Sequence, residues 1–234
     1  MISKTKAKAT PMTPQRAIEL SAGRAFSFTG RWPKLNVYDQ ADQSRKIIVD
    51  PNICAGCAVA NVYQSMTGRV GDYARVLYEG AKQRREDHKD ERGGISLYEV
   101  CDFATDLFGG DYYRLKSVEE ILSWIAVAGP VAAGFKWRSG MEYPRGIGNW
   151  FQRLFGARWA MRRGPVMGYH AVSILGASDR QGGYVVIENS RGLNHGNKGT
   201  ARLSWKDLKK TLDEGELFAY GVDFEEARQI YKTN

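Results

Sequence analysis

Apolar positions recur at helical spacing through the first half of the chain and in short, β-leaning runs through the second. After Cys57 the run AVANVYQSM predicts a helix from Cys57 to Met66, stopped by Thr67-Gly68. A second helix is predicted from Asp72 to Arg85. In SLYEVCDFATDLF, Ser96 stands as N-cap with Glu99 three residues on, a capping-box pattern, and Gly109-Gly110 end the segment. SVEEILSWIAVA repeats the device with Ser117 and Glu120, and Gly129-Pro130 break it.

From there the character changes. VAAGFKW, YHAVSILGAS, YVVIENS after a Gly-Gly turn, TARLS and ELFAYGVDF read as strands, with one short helix, WKDLKKTLDEG, among them. Helices first and strands later predict an α+β protein with a helical part, a sheet part and a cleft between them. RAFSF and KIIVD are weaker strand candidates in the mixed stretch 15–50. QRREDHKDERGG reads as a solvated, charged loop, and residues 1–14, rich in Lys, Thr and Pro, as a disordered basic tail.

Composition narrows the class. The 234 residues suit one large domain or two small lobes, and 43% apolar content is enough for a sizeable core. No apolar run approaches the ~18 residues of a membrane span, and the N-terminal region lacks a secretory signal's apolar stretch. Both point to an intracellular protein; a virion-packaged or delivered protein would read the same. The net charge of +8 and pI of about 9.4 favour an anionic partner or surface, but no nucleic-acid-binding motif accompanies them.

Three cysteines (Cys54, Cys57, Cys101) and three histidines (His88, His170, His195) leave few players for thiol chemistry. An odd, low cysteine count argues against a disulfide scaffold. The pair in ICAGCAVAN admits three readings. A redox C-x-x-C expects a βαβ surround, which is missing here. A zinc site expects a second ligand pair, and Cys101 stands alone. A nucleophile expects a thiol at a helix N-terminus, where the macrodipole favours the thiolate, together with a base and a group to orient that base. Cys57 opens the predicted helix and fits. His170 lies in one apolar strand, and Glu188-Asn189-Ser190 ends the next. Two antiparallel neighbours would put His170 and Asn189 side by side, where an amide can fix the imidazole tautomer.

With these blocks in hand the chain resembles the papain-like cysteine peptidases over roughly residues 48–222. ICAGCAVAN is similar to the nucleophile block, MGYHAVSILGAS to the histidine block, and GGYVVIENSRGLNHGNKGTARLS to the asparagine block; GPVAAGF resembles the family's Gly-Pro-Val strand. The blocks fall in the family's order, at separations of 113 and 19 residues. The resemblance implies a two-lobed fold, with an N-terminal helical lobe (about 48–128) and a C-terminal antiparallel sheet or half-barrel lobe (about 129–234), within one catalytic domain over 15–234. It implies Cys57 as nucleophile, His170 as general base and then acid, a resting thiolate–imidazolium pair, and Asn189 orienting His170. The Cys57 amide would serve the oxyanion. The family's oxyanion glutamine is Pro51 here, with Asn52 the nearest amide. Its shielding tryptophan after Asn-Ser is Arg191. Cys54 stands where the family has a disulfide partner, and both Cys54 and Cys101 are expected free, Cys101 in the core. No cofactor and no metal are implied.

Residues 149–163, NWFQRLFGARWAMRR, depart from the family pattern. Phe151, Leu154, Phe155 and Trp159 form a helical stripe flanked by arginines. They lie in an expected insertion, about 138–165, that with the basic tail could meet an anionic partner or surface. His88 and His195 receive no role, His195 being expected in a turn. The leading functional expectation is hydrolysis of polypeptide substrates through a Cys-His-Asn acyl-enzyme. The alternatives are a cysteine amidohydrolase or effector acting on cell-wall peptides, and a weak or inactive papain-like binding protein, for which Pro51 is the main support.

Overall fold

The computed structural model describes residues 12–21, 52–85, 95–142, 164–193 and 195–232. Seven helices and six strands follow in the order α1 (Pro14–Ser21), α2 (Cys54–Thr67), α3 (Tyr73–Arg84), α4 (Leu97–Phe108), β1 (Gly110–Leu115), α5 (Val118–Val127), β2 (Val131–Arg138), β3 (Val166–Ser178), β4 (Tyr184–Glu188), β5 (Thr200–Ser204), α6 (Trp205–Asp213), β6 (Leu217–Phe224) and α7 (Glu225–Lys232). The strands form one antiparallel sheet in the order β1-β6-β2-β3-β4-β5.

Local signals set most boundaries. Gly68 closes α2 in the left-handed conformation, φ 74°, and returns its N–H to the Gln64 carbonyl at 2.9 Å. The Ser117 hydroxyl accepts the Glu120 N–H at 3.1 Å, while the Glu120 carboxylate accepts the Lys116 N–H at 2.6 Å. At α4 the Glu99 carboxylate accepts the Ser96 N–H at 2.8 Å and the Ser96 hydroxyl as well. α2 differs: its N-cap is Ile53, which offers no side-chain cap. Every residue from Ala55 to Met66 is buried, so tertiary packing rather than a cap holds this helix.

The sheet carries a core on each face, as the period-2 alternation of its strands requires. Val131, Ala133, Phe135 and Trp137 of β2, with Val172 and Ile174 of β3, pack with α1, α5 and α6. Ala132, Ala171, Val222 and Phe224 pack with α2, α3 and α4. Between these helices and the sheet, the Ser173 hydroxyl on β3 donates to the Ala58 carbonyl on α2 at 3.2 Å, tying the histidine strand to the cysteine helix.

β1 lies within the expected helical lobe yet forms an edge of the sheet, and α5 packs on the face opposite α2. Pro14, the last residue of the expected tail, starts α1, and the Met12 N–H donates to Asp223 at 2.8 Å. The remainder of the tail, the segments RAFSF and KIIVD, His88, Pro51 and the stripe at 149–163 lie outside the described residues. No described helix is long and apolar enough to cross a membrane.

Candidate active site

Antiparallel pairing of β3 with β4 sets Ser173 opposite Glu188, and Asn189 follows at the strand end. His170 and Asn189 meet there, both buried, with His170 Nε2 2.6 Å from Asn189 Oδ1. An amide oxygen only accepts, so the proton of this bond sits on Nε2 and leaves Nδ1 as the basic nitrogen.

A cleft of about 950 Å³ opens beside this pair. Its walls include Asn52, Cys54, Ala55, His170, Ala171 and Arg191, with apolar surface from Leu97, Trp137, Met167 and Phe218. Cys54 is the first residue of α2, partly exposed, with its thiol bonded to the Ala171 backbone. Cys57 is absent from these walls. It sits one turn into α2, 3% exposed, in the helical core, with its thiol bonded to the Ser190 side chain. The expectation that Cys57 opens the helix is thus corrected by one turn: the residue at the N-terminus and in the cleft is Cys54. Cys101 is free and fully buried in α4, and Cys54 and Cys57 are also free.

Burial acts on His170 and Cys54 in the same sense, toward neutrality. It lowers His170 to about 4, against the raising effect of the Asn189 bond. It raises the Cys54 thiol, opposed by backbone bonds from Ala171 and Ala55 and by the charge of Arg191. Burial therefore opposes the resting ion pair that the resemblance implies, while the N-terminus of α2 favours it. Burial and the nearby Cys54 push the Cys57 thiol well above the ordinary range, against the lowering effect of the Ser190 bond.

A second tier that the sequence reading left without roles braces the pair. The Trp137 ring lies edge-on to His170, centroids 4.5 Å apart, and its indole N–H donates to Glu142 at 2.7 Å. Glu142 also pairs with Arg191 at 3.0 Å. His195, in the expected turn, places Nε2 2.9 Å from the Glu142 carbonyl and 3.4 Å from Asn189 Nδ2. The shorter contact requires the proton on His195 Nε2. Trp137 thus stands beside His170, where the expectation had Arg191 in place of the family's tryptophan. The available signal was the β2 alternation, which sets Trp137 on the same face as Phe135, the cross-strand partner of His170. Asn52 is exposed and shares the cleft with Cys54.

No protein-family model matches the chain, and no curated protein does. Solved structures do. Xylellain, a cysteine protease from Xylella fastidiosa, superposes with a TM-score of 0.60 at 14% identity, over 93% of this chain and 91% of that one. Procathepsin L 3 of the Tenebrio molitor larval midgut gives 0.58 at 14% identity, over 94% and 75%. The bromelain protease from Ananas comosus, in complex with the E64 inhibitor, gives 0.53 at 14% identity, over 81% and 94%. The fold of the chain is papain-like: an α+β arrangement of helices and antiparallel sheet.

Proposed function

We propose that the protein is a cysteine peptidase in which Cys54, not Cys57, is the nucleophile. The observation that carries this is a buried His170–Asn189 bond of 2.6 Å on the wall of a cleft that Cys54 also lines. The neighbours named a cysteine protease, a procathepsin and bromelain make peptide bonds the first substrate to test.

In this reading His170 Nδ1 takes the Cys54 proton as the sulfur attacks the scissile carbonyl. The imidazolium then protonates the leaving amine, and Asn189 holds the ring through both transfers. The carbonyl oxygen, as it becomes an oxyanion, lies near the start of α2. The Cys54 N–H is one of the first-turn donors with no partner inside the helix. The Asn52 amide, two residues upstream, is the side-chain candidate for a second donor. Water, activated by the neutral His170, releases the acyl group.

The test is hydrolysis of casein and a fluorogenic peptide library by wild type, Cys54→Ala and Cys57→Ala. Turnover lost only in Cys54→Ala supports the reading. Turnover lost only in Cys57→Ala returns the role to Cys57. No turnover by wild type on any peptide removes the peptidase assignment.

A further inference from the structure

The two cysteines of ICAGC share the first turn of one helix, and only one of them reaches the cleft. α2 starts at Cys54, and the Cys57 N–H already makes a helical bond to the Ile53 carbonyl at 3.0 Å. Residues three apart in an α-helix have Cα atoms about 5 Å apart. That lies inside the roughly 4.4–6.8 Å between Cα atoms that a disulfide spans, while the Cβ atoms, about 5–6 Å apart on a regular helix, must close to about 3.5–4.5 Å, which takes a shift at the Cys54 end of the turn. The Gly56 side of this turn is held, while its Cys54 end starts without a side-chain cap. A Cβ on Gly56 would stand 2.4 Å from the Ala74 carbonyl oxygen, so α3 is packed directly onto the backbone of this turn. Cys101, the third thiol, is fully buried in α4.

We infer that Cys54 and Cys57 are a reversible redox site, in which Cys54 reacts with a peroxide and Cys57 resolves the product to an intrahelical disulfide. A partly exposed thiol at a helix N-terminus, which favours the thiolate that burial opposes, with a second thiol three residues on is the arrangement of a reacting and a resolving cysteine. The Cys54 sulfur attacks one peroxide oxygen, the O–O bond breaks, and one water leaves, giving a sulfenic acid. The Cys57 sulfur attacks that sulfur, the S–O bond breaks, and the Cys57 proton leaves with the hydroxyl as a second water. Two thiols are oxidised and one peroxide is reduced. A dithiol restores both thiols by exchange, taking the disulfide's place as the oxidised partner. While the bond stands, the cleft has no nucleophile. This effect on turnover rests on the peptidase reading, whereas the bond itself does not.

The experiment uses the full chain and a mass readout. Wild type is treated with one equivalent of hydrogen peroxide, denatured, alkylated with iodoacetamide and digested. Alkylated cysteines are expected to fall from three to one, Cys101 alone keeping its label. The peptide holding Cys54 and Cys57 should be lighter by two hydrogens than its reduced form, and dithiothreitol should restore all three labels. In Cys57→Ala the same treatment should leave a sulfenic acid on Cys54 that dimedone captures. Wild type in which Cys54 is oxidised while Cys57 is still alkylated overturns the inference. Disulfide formation in a protein that turns over no peptide leaves the redox site standing and removes the peptidase. Turnover with Cys57 still alkylated after peroxide does the reverse.

Discussion

His170 Nε2 gives its hydrogen to Asn189 Oδ1 across 2.6 Å, and that single bond decides which ring nitrogen is left to act as a base. Replacing Asn189 with Ala frees the ring to rotate and to change tautomer. The expected result is a fall in kcat of about 10², with a smaller change in KM, because the loss is in proton transfer and not in substrate contact. Steady-state kinetics on one peptide substrate checks it. An unchanged kcat would remove Asn189 from the mechanism.

Alkylation by iodoacetamide separates the two cysteines without a substrate. Cys54 should label faster than Cys57 in the folded protein, since Cys54 lines the cleft and Cys57 is 3% exposed. Removing the base in His170→Ala should slow Cys54 labelling at pH 6 by about 10² or more. Labelling that rises only near pH ~8.5, the free-thiol value, and ignores the mutation would mean no activated pair.

Burial holds His170 to about 4, and this fixes the direction of two pH effects. Activity should fall as pH drops through about 4, where the imidazole protonates and can no longer accept the Cys54 proton. Stability should fall earlier. The unfolded chain binds this proton near 6.5, so between 6.5 and 4 the unfolded state holds more protons than the folded one. The loss from this group amounts to about 3 kcal/mol by pH 4. Burial shifts His195 in the same direction and adds to it. Urea midpoints measured across this range would show the decline, and a flat profile would contradict it.

Glu142 should tune the acid limb. Its charge raises the His170 pKa, so Glu142→Gln should move the limb to lower pH while Trp137 keeps an acceptor. Because Arg191 and Glu142 are each about a third exposed, their ion pair alone is expected to contribute about 0–1 kcal/mol. Trp137→Ala is the harsher change. It removes a buried ring beside His170 and should cost about 3–5 kcal/mol, read as a drop in Tm.

Gly56→Ala tests the packing of the first α2 turn. In an exposed helix this change stabilises by roughly 0.5–1 kcal/mol. Here the new methyl would meet the Ala74 carbonyl at 2.4 Å, so α2 and α3 must part. The expected sign is therefore reversed, with a lower denaturation midpoint and slower Cys54 alkylation.

Much of this was legible in the chain, and the gaps have physical causes. α4 and α5 announce themselves through Ser96–Glu99 and Ser117–Glu120, local signals that need no tertiary partner. The His170–Asn189 meeting followed from two apolar runs separated by a Gly-Gly turn, since antiparallel neighbours place such ends together. The start of α2 was not legible. Ile53 provides no cap, and packing carries the helix one turn further back than its apolar run suggested, which exchanges the places of Cys54 and Cys57. β1 was missed because GDYYRL is half-exposed and its order comes from pairing with β6, about a hundred residues away in sequence. α7 is amphipathic but short, and it docks partly through Glu226, which accepts the Tyr63 hydroxyl at 2.6 Å.

The place of β6 in the sheet has a consequence for the order in which the protein comes into being. β6 is the last of the described strands, yet it sits between β1 and β2, and its Phe218 and Tyr220 form part of the cleft wall. Until residues 217–224 leave the ribosome, β1 has no neighbour in the sheet and β2 has one bare edge. Cys54, His170 and Asn189 are all synthesised before that strand. The nascent chain therefore carries all three side chains while one wall of the cleft is missing. Insertion of β6 then acts as a timer, withholding a complete cleft until every other described strand has been made.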